Sequence, residues 1–189
     1  MALARAALVI ALQCLAGHAA ADEGVPQGQQ ALLLLRTLAY DRNLAARAGA
    51  EATVLVLFKP GDAASTAAKD AMLTALATAA EKVKVAGLPV RALSRPLGRD
   101  SLHLALGEAG AVALYLCPGL EDASAEVAAA TRATHVLSFA GSRASVEAGI
   151  SIGFVGRDGK AVVMVNLPAA KAEGADLDSG LLRVAEVVR

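Results

Sequence analysis

The loop of residues 59–65 contains the residue types that could hold a phosphate group. It reads Lys-Pro-Gly-Asp-Ala-Ala-Ser and lies between an apolar run and a helical pattern, which is where phosphate-binding loops occur. It lacks both the G-x-x-x-x-G-K-S/T and the G-x-G-x-x-G spacing that surrounds a phosphate with backbone N–H groups. Asp62 or Ser65 is instead suited to cap the following helix, so the loop favours a strand-to-helix turn.

Three other residues are candidates for catalysis or metal binding. His103 and His135 stand without a close Cys, Asp or Glu at the spacing that metal ligands need. Ser142 lies in Ala-Gly-Ser-Arg, which is typical of a loop and lacks the G-x-S-x-G pattern of a nucleophile elbow. The sequence therefore predicts no catalytic residue, no metal site and no cofactor, and a protein that is not an enzyme.

A polar cluster of Tyr40, Asp41, Arg42 and Asn43 follows a leucine-rich stretch and precedes Arg47. Tyr and Arg are enriched at the energetic centres of protein interfaces, so the cluster is a candidate partner-binding surface. Asp41 and Arg42 are equally suited to cap and flank the end of the leucine-rich helix. The residues alone leave both interpretations open.

The elements that position these residues alternate between helices and apolar strands. The leucine-rich stretch has apolar residues at i, i+3, i+4 and i+7, which predicts a first helix from about residue 27 to residue 47. Residues 53–58 and 111–116 are apolar without alternation, which predicts strands covered on both faces. Residues 89–93 indicate an edge strand and residues 135–139 a fourth strand, with helices between them.

The C-terminal part departs from this alternation. Two β-branched runs, 150–155 and 160–166, are joined by a turn that ends in Asp158-Gly159, which predicts a hairpin. Leu181, Val184 and Val188 lie at helical spacing, which predicts a terminal helix packed on the sheet. Repeated strand–helix–strand units require right-handed crossovers. The predicted fold is therefore an α/β three-layer sandwich with a largely parallel sheet, helices on both faces, a C-terminal antiparallel hairpin and a terminal helix.

The N-terminus has the pattern of an export signal. A basic residue, Arg5, precedes a short apolar run, and Ala19-x-Ala21 before Asp22 is a typical cleavage site. The apolar run is broken too early to span a membrane, which takes roughly 20 apolar residues. We expect residues 1–21 to be a signal peptide that is cleaved near Ala21/Asp22. Residues 22–189 then form a single periplasmic α/β domain with no membrane span after cleavage.

The charge balance restricts the classes of partner, and the cysteine content restricts the possible disulfides. The chain has 18 Lys and Arg residues against 18 Asp and Glu residues, without a basic block. This balance argues against nucleic acid and anionic membrane surfaces as partners. Of Cys14 and Cys117, only Cys117 would remain after cleavage, so we expect no disulfide within the mature chain and a buried thiol at a strand end.

The order of the C-terminal elements resembles that of the YfiR-type periplasmic repressor family, a family of unknown-function domains related to YfiR and HmsC. The resemblance is clearest over the C-terminal third. The matching residues are Gly149, Gly153-Phe154, Asp158-Gly159, Asn166-Leu167, Ala170 and Ser179-x-Leu181-Leu182-x-x-Ala185. The chain lacks the cysteine pairs of many relatives and the Trp-Pro that usually closes the segment after the first helix.

The resemblance implies a YfiR-like α/β domain that acts as a periplasmic, non-catalytic sensor. Such a protein restrains a membrane-bound signalling partner, for example a diguanylate cyclase or a histidine kinase, through the partner's periplasmic sensor domain. A periplasmic small-ligand-binding or transport accessory protein is the alternative, and an enzyme with a dispersed site is a third class. The sequence leaves room for a homodimer.

Overall fold

The computed structural model describes residues 24–98 and 101–188, so the predicted signal peptide and its cleavage site lie outside the described residues. The chain begins with helix α1 (Gln27–Ala39) and the short helix α2 (Leu44–Arg47). The elements that follow are β1 (Ala52–Phe58), α3 (Ala63–Ala80), β2 (Val90–Pro96), α4 (Leu102–Glu108), β3 (Ala111–Leu116), a 3-10 turn (Glu121–Ala123), α5 (Ser124–Thr134), β4 (Leu137–Ala140), α6 (Arg143–Glu147), β5 (Ile152–Arg157), β6 (Lys160–Asn166), α7 (Leu167–Ala172), α8 (Ser179–Leu182) and β7 (Glu186–Val188). Within the described ranges, no helix is long and apolar enough to cross a bilayer.

These strands form one sheet in the order β2-β1-β3-β4-β5-β6-β7. Strands β1 to β5 are parallel to their neighbours, β6 runs antiparallel to β5, and β7 is parallel to β6. The chain order reverses between β1 and β3, as in doubly wound folds. We call the edge where β1 to β5 begin the amino edge, and the opposite one the carboxyl edge.

The sheet is covered on both faces because its central strands are apolar at every position. On β1, Val54 and Val56 pack in one cluster with α1 and α3, whereas Leu55 and Leu57 pack in another with α4 and α5. A stacked pair of rings, Phe139 and Phe154, lies 5.9 Å apart between centroids in the first cluster. The predicted α/β fold with helices on both faces and an antiparallel hairpin is confirmed.

The first helix is shorter than the periodicity predicted. It ends at Ala39, and four residues separate it from α2, so the prediction of one helix to residue 47 was wrong. The backbone turns here because the Asp41 carboxylate accepts a hydrogen bond from the N–H of Asn43 at 3.0 Å. Short acidic side chains stabilise turns in this way at the expense of a continuing helix.

The terminal helix is a single turn, α8, and the helical face predicted over residues 181–188 was also wrong. Leu181 is buried, but Val184 is 78% exposed, and Glu186–Val188 form strand β7. The reason is that β6 offers an unpaired edge to the β-branched Val187 and Val188, which pair with Val165 and Asn166. Tertiary pairing therefore overrides the local helical spacing.

Candidate functional site

The predicted cluster lies at the amino edge of the sheet, where the end of α1 meets the segment between α7 and α8. The two stretches run antiparallel and bridge at Asp41 and Leu177. The N–H of Arg42 donates to the carbonyl of Asp176 at 3.0 Å, and the N–H of Asp178 donates to the carbonyl of Tyr40 at 2.9 Å. The structure thus joins the predicted residues to a segment about 135 positions later in the chain.

Asp41 is the buried anchor of this junction. It forms an ion pair with Arg47 and accepts a hydrogen bond from the N–H of Asp176 at 2.9 Å, and its side chain has no exposed surface. Arg47 also donates to the carbonyl of His135 at 2.6 Å. Because the Asp41 carboxylate faces inward and its contacts are internal, it holds the surface together from beneath.

The other three residues of the cluster reach solvent. Arg42 pairs with Asp178 at 2.8 Å and with Asp176 at 3.4 Å. The hydrogen bond to Arg42 holds the pKa of the Asp178 carboxyl below its usual range, and the same contact raises the pKa of Arg42. Asn43 donates from Nδ2 to the carbonyl of Gly174 at 3.1 Å.

Tyr40 gives this region its exposed aromatic ring. Its side chain is 45% exposed, and a Cβ placed on Gly180 of α8 would lie 3.7 Å from Tyr40 Cε1 and 3.9 Å from a guanidinium nitrogen of Arg183. The ring therefore lies beside α8 and near a second arginine. We define the amino-edge surface as Tyr40, Arg42, Asn43, Asp176, Asp178 and Arg183. Sequence reasoning missed the last three, because no local pattern links them to α1.

Beneath this surface lies a buried carboxylate, Glu173, that no sequence pattern predicts. Glu173 follows α7 and is fully buried. It accepts hydrogen bonds from Thr131 Oγ1 at 2.6 Å, from Ser138 Oγ at 2.6 Å and from the Ser138 N–H at 2.9 Å, and also from the hydroxyl of Ser151. In the sequence, a Glu followed by Gly after a short helix is typical of an exposed helix end.

The carboxyl edge offers no phosphate cradle at residues 59–65. Asp62 is the N-cap of α3 and accepts from the N–H of Ser65 at 2.9 Å, while Ser65 Oγ accepts from the N–H of Lys59 at 3.0 Å. A Cβ on Gly119 would lie 3.1 Å from Asp62 Oδ2, so the carboxylate fills the space between the two loops. A carboxylate at the helix N-terminus repels a phosphate, which fits the capping interpretation.

The remaining candidates for chemistry are separated from one another. His103 is exposed on α4, and His135 ends α5 with a left-handed backbone at φ 55°. Ser142 is the N-cap of α6 and accepts from the N–H of Ser145 at 3.2 Å. In residues 24–98 and 101–188, no group of three or more His, Cys, Asp or Glu side chains could hold a metal ion. Cys117 is buried at the end of β3, and burial raises the pKa of its thiol to about 12.

A family model described as YfiR/HmsC-like matches residues 30–186. The chain belongs to this family. The match spans α1 to the start of β7 and therefore includes both sides of the amino-edge surface. No curated protein matches the sequence.

Solved structures with the same fold accompany the YfiR/HmsC-like match. A conserved domain protein from Vibrio cholerae is 17% identical, with a TM-score of 0.60 over 89% of this chain and 62% of that one. An ABC domain in complex with L-Trp from Streptococcus pneumonia is 14% identical, with a TM-score of 0.61 over 86% of this chain and 62% of that one.

A ligand-free, open substrate-binding protein with adhesive properties from Clostridium difficile is 14% identical, with a TM-score of 0.54 over 78% of this chain and 57% of that one. The chain thus spans about three fifths of the length of each of these structures. At these identities the likeness shows the α/β fold alone.

Proposed function

We propose that this protein is a periplasmic regulator that binds and restrains a membrane-bound signalling protein, such as a diguanylate cyclase or a histidine kinase. Membership of the YfiR/HmsC-like family supports a periplasmic regulatory role. We assign the contact with the partner to the amino-edge surface. We also propose that the protein is exported and that its signal peptide is cleaved near Ala21/Asp22. The protein acts by occupancy and does not catalyse a reaction.

The observation that carries the assignment is the position of Tyr40 and Arg42 on either side of the anchored Asp41. They flank Asp41, whose buried carboxylate fixes the backbone of the turn through Asn43, Asp176 and Arg47. A binding surface that is ordered before it meets its partner loses less conformational entropy on binding. An aromatic ring and an arginine on such a turn are the residue types that contribute most at interfaces.

The charges of the amino-edge surface favour a partner that carries both signs. Arg42 and Arg183 lie beside Asp176 and Asp178, so the surface has no excess of either charge. A partner must exchange its own charged groups for the ion pairs of Arg42. Such exchange contributes more to specificity than to affinity, since like charges brought together are penalised.

Restraint by binding has a quantitative consequence. A repressor that holds one state of its partner shifts the population only as far as its affinity for the two states differs. Its effect therefore saturates when every partner molecule is occupied. A signal releases the partner by favouring a form of the repressor that binds it less well.

Co-purification from membrane extracts tests the assignment. We expect the wild-type protein to recover a membrane signalling protein. The double change Tyr40→Ala and Arg42→Gln should abolish this recovery while the melting temperature stays within a few degrees of the wild-type value. Leu104→Ala and Lys160→Gln are matched controls, because Leu104 is 62% exposed on α4 and Lys160 is exposed at the start of β6. Equal recovery by the surface variant and the controls would contradict the assignment.

Binding of a small periplasmic ligand is the second candidate function. A groove of about 330 Å³ at the end of β2 is lined by residues 94–98 together with Leu57 and Leu102. This volume lies at the lower end of the range for small-molecule sites. The fold shared with a substrate-binding protein and with an ABC domain bound to L-Trp is compatible with this function. A reproducible rise in melting temperature with amino acids, lost on Ser94→Trp, would favour it over protein binding.

A further inference from the structure

Glu173 is a buried carboxylate that pairs with no cation among the residues that the structure describes. Its hydrogen bonds come from α5, from β4 and from the residue that precedes β5, so it joins the end of α7 to three other parts of the fold. Uncompensated charges are costly in a protein interior, and buried carboxyl groups are usually paired. Such a group needs an explanation beyond the packing of a helix end.

The charged groups on the surrounding elements have other partners or face solvent. Arg47 pairs with Asp41, and Arg132 of α5 donates to the carbonyl of Gly149 at 3.4 Å. His135 packs its ring on Gly174, Lys171 of α7 is exposed, and Asp176 pairs with Arg42. The Glu173 carboxylate instead accepts its hydrogen bonds from uncharged groups, those of Thr131, Ser138 and Ser151. Burial raises the pKa of Glu173 and the four hydrogen bonds lower it, with burial the larger effect.

The segment that follows Glu173 builds the amino-edge surface. The carbonyl of Gly174 accepts a hydrogen bond from the side-chain amide of Asn43, and the N–H of Asp176 donates to the Asp41 carboxylate. Asp178 bonds the backbone of Tyr40 and supplies the carboxylate that holds Arg42. Residues 174–178 are thus attached to the turn after α1 on one side and to the buried Glu173 on the other, and they include no helix or strand of their own.

We propose that Glu173 is a proton-linked latch for residues 174–178, in which proton uptake by the buried carboxyl group favours the closed segment and proton release favours its opening. In the closed state the carboxyl group is removed from water, which penalises its ionised form. In an open state it is hydrated and ionises without that penalty. The latch itself is independent of the proposed function. Any effect of the latch on partner binding rests on the proposed function.

The direction of the pH dependence follows from proton linkage. When the pKa of a carboxyl group is raised in the closed state, the group stabilises that state fully at any pH below its ordinary pKa of about 4.3, which applies to the open state. As the pH rises from there towards the raised pKa, the open fraction grows by up to about tenfold per pH unit. Above the raised pKa the open fraction is constant. Acidification therefore closes the segment, and a rise in pH loosens it.

Amide hydrogen exchange measures the latch directly. In the closed state the N–H groups of Asp176 and Asp178 donate to Asp41 and to the carbonyl of Tyr40, in the turn after α1, so their protection factors report the closed population. We expect protection in the wild type, corrected for intrinsic exchange, to fall as the pH is raised from 4 to 8 and then to level off. Glu173→Gln, which keeps an acceptor for the Ser138 N–H but cannot ionise, should remove this dependence. Glu126→Gln, an exposed change on α5, should retain it.

Thr131→Val supplies a second variant should Glu173→Gln not fold. It keeps the shape of the side chain but removes one donor to the Glu173 carboxylate, so the pKa of Glu173 rises further. The fall in protection should then extend to a higher pH than in the wild type, and the carbon-13 shift of the Glu173 carboxyl should titrate with it. Protection that is independent of pH in the wild type, or that changes alike in wild type and Glu173→Gln, would overturn the latch. Neither outcome depends on whether a partner binds.

Discussion

Loss of the Asp41 charge should destabilise the protein far more than loss of any exposed carboxylate. Asn at position 41 keeps an oxygen that can accept from the N–H groups of Asn43 and Asp176. It removes only the negative charge and turns an amide donor towards the Arg47 guanidinium. The change therefore isolates the ion pair from the two hydrogen bonds that shape the turn.

The magnitude follows from the burial of the pair. The side chain of Asp41 is 0% exposed and that of Arg47 is 13% exposed, so the guanidinium left by Asp41→Asn has little access to water. Removing one partner of a buried ion pair typically costs about 3–5 kcal/mol. For a chain of this size each kcal/mol lowers the melting temperature by roughly 2–4 °C. We expect a loss of about 3 kcal/mol in the free energy of unfolding and a melting temperature about 6–12 °C lower.

Urea and thermal unfolding followed by circular dichroism provide the assay. Asp122→Asn is the matched control, because Asp122 is exposed in the 3-10 turn, and it should change the free energy of unfolding by less than about 0.5 kcal/mol. The double change Asp41→Asn and Arg47→Met should be less destabilising than the sum of the two single changes, since no buried charge is left unpaired. A loss below about 1 kcal/mol for Asp41→Asn, or strictly additive single changes, would refute the view that the pair anchors the surface from beneath.

Three further outcomes are expected. Leu181→Ala should cost about 2–5 kcal/mol in the free energy of unfolding because Leu181 is buried against the sheet, whereas Val184→Ala, on the same terminal segment, should leave the melt unchanged. Cys117 should resist iodoacetamide at pH 8 in the folded protein and react on unfolding, because its thiol is buried with its pKa raised to about 12; rapid reaction in the native state would contradict this. Mass spectrometry of the exported protein should give an N-terminus near Asp22, and an intact peptide across Ala21 would contradict the predicted cleavage.

The layers of the fold could be predicted because the composition of each strand indicates whether one or both of its faces are buried. Every residue of β1 from Ala52 to Leu57 is buried, and a run without polar alternation predicts that directly. The hairpin was equally accessible, since Asp158 and Gly159 both adopt the positive φ that its turn requires. Both patterns involve residues that are neighbours in the chain, so they can be recognised from the sequence alone.

The errors arose where distant residues decide the local structure. The spacing of Leu181, Val184 and Val188 is helical, but the free edge of β6 converts the last residues to a strand. The first helix ends early because Asp41 finds partners at Arg47 and Asp176. The cluster at Tyr40–Asn43 was recognised by residue type, but its acidic partners and the buried Glu173 were not. Their significance depends on contacts across more than 100 positions of the chain, which a single sequence does not display.

The most direct test of binding through the amino-edge surface is site-specific photo-crosslinking in cells that produce the protein. A benzoylphenylalanine at position 40 stands in the place of the exposed Tyr40 ring, and the same group at Leu104 reports an exposed site on α4. We expect position 40, and not position 104, to crosslink to one membrane-bound signalling protein, and Arg42→Gln to lower the yield of that product. Identical products from both positions, or no membrane protein among the products of position 40, would contradict it.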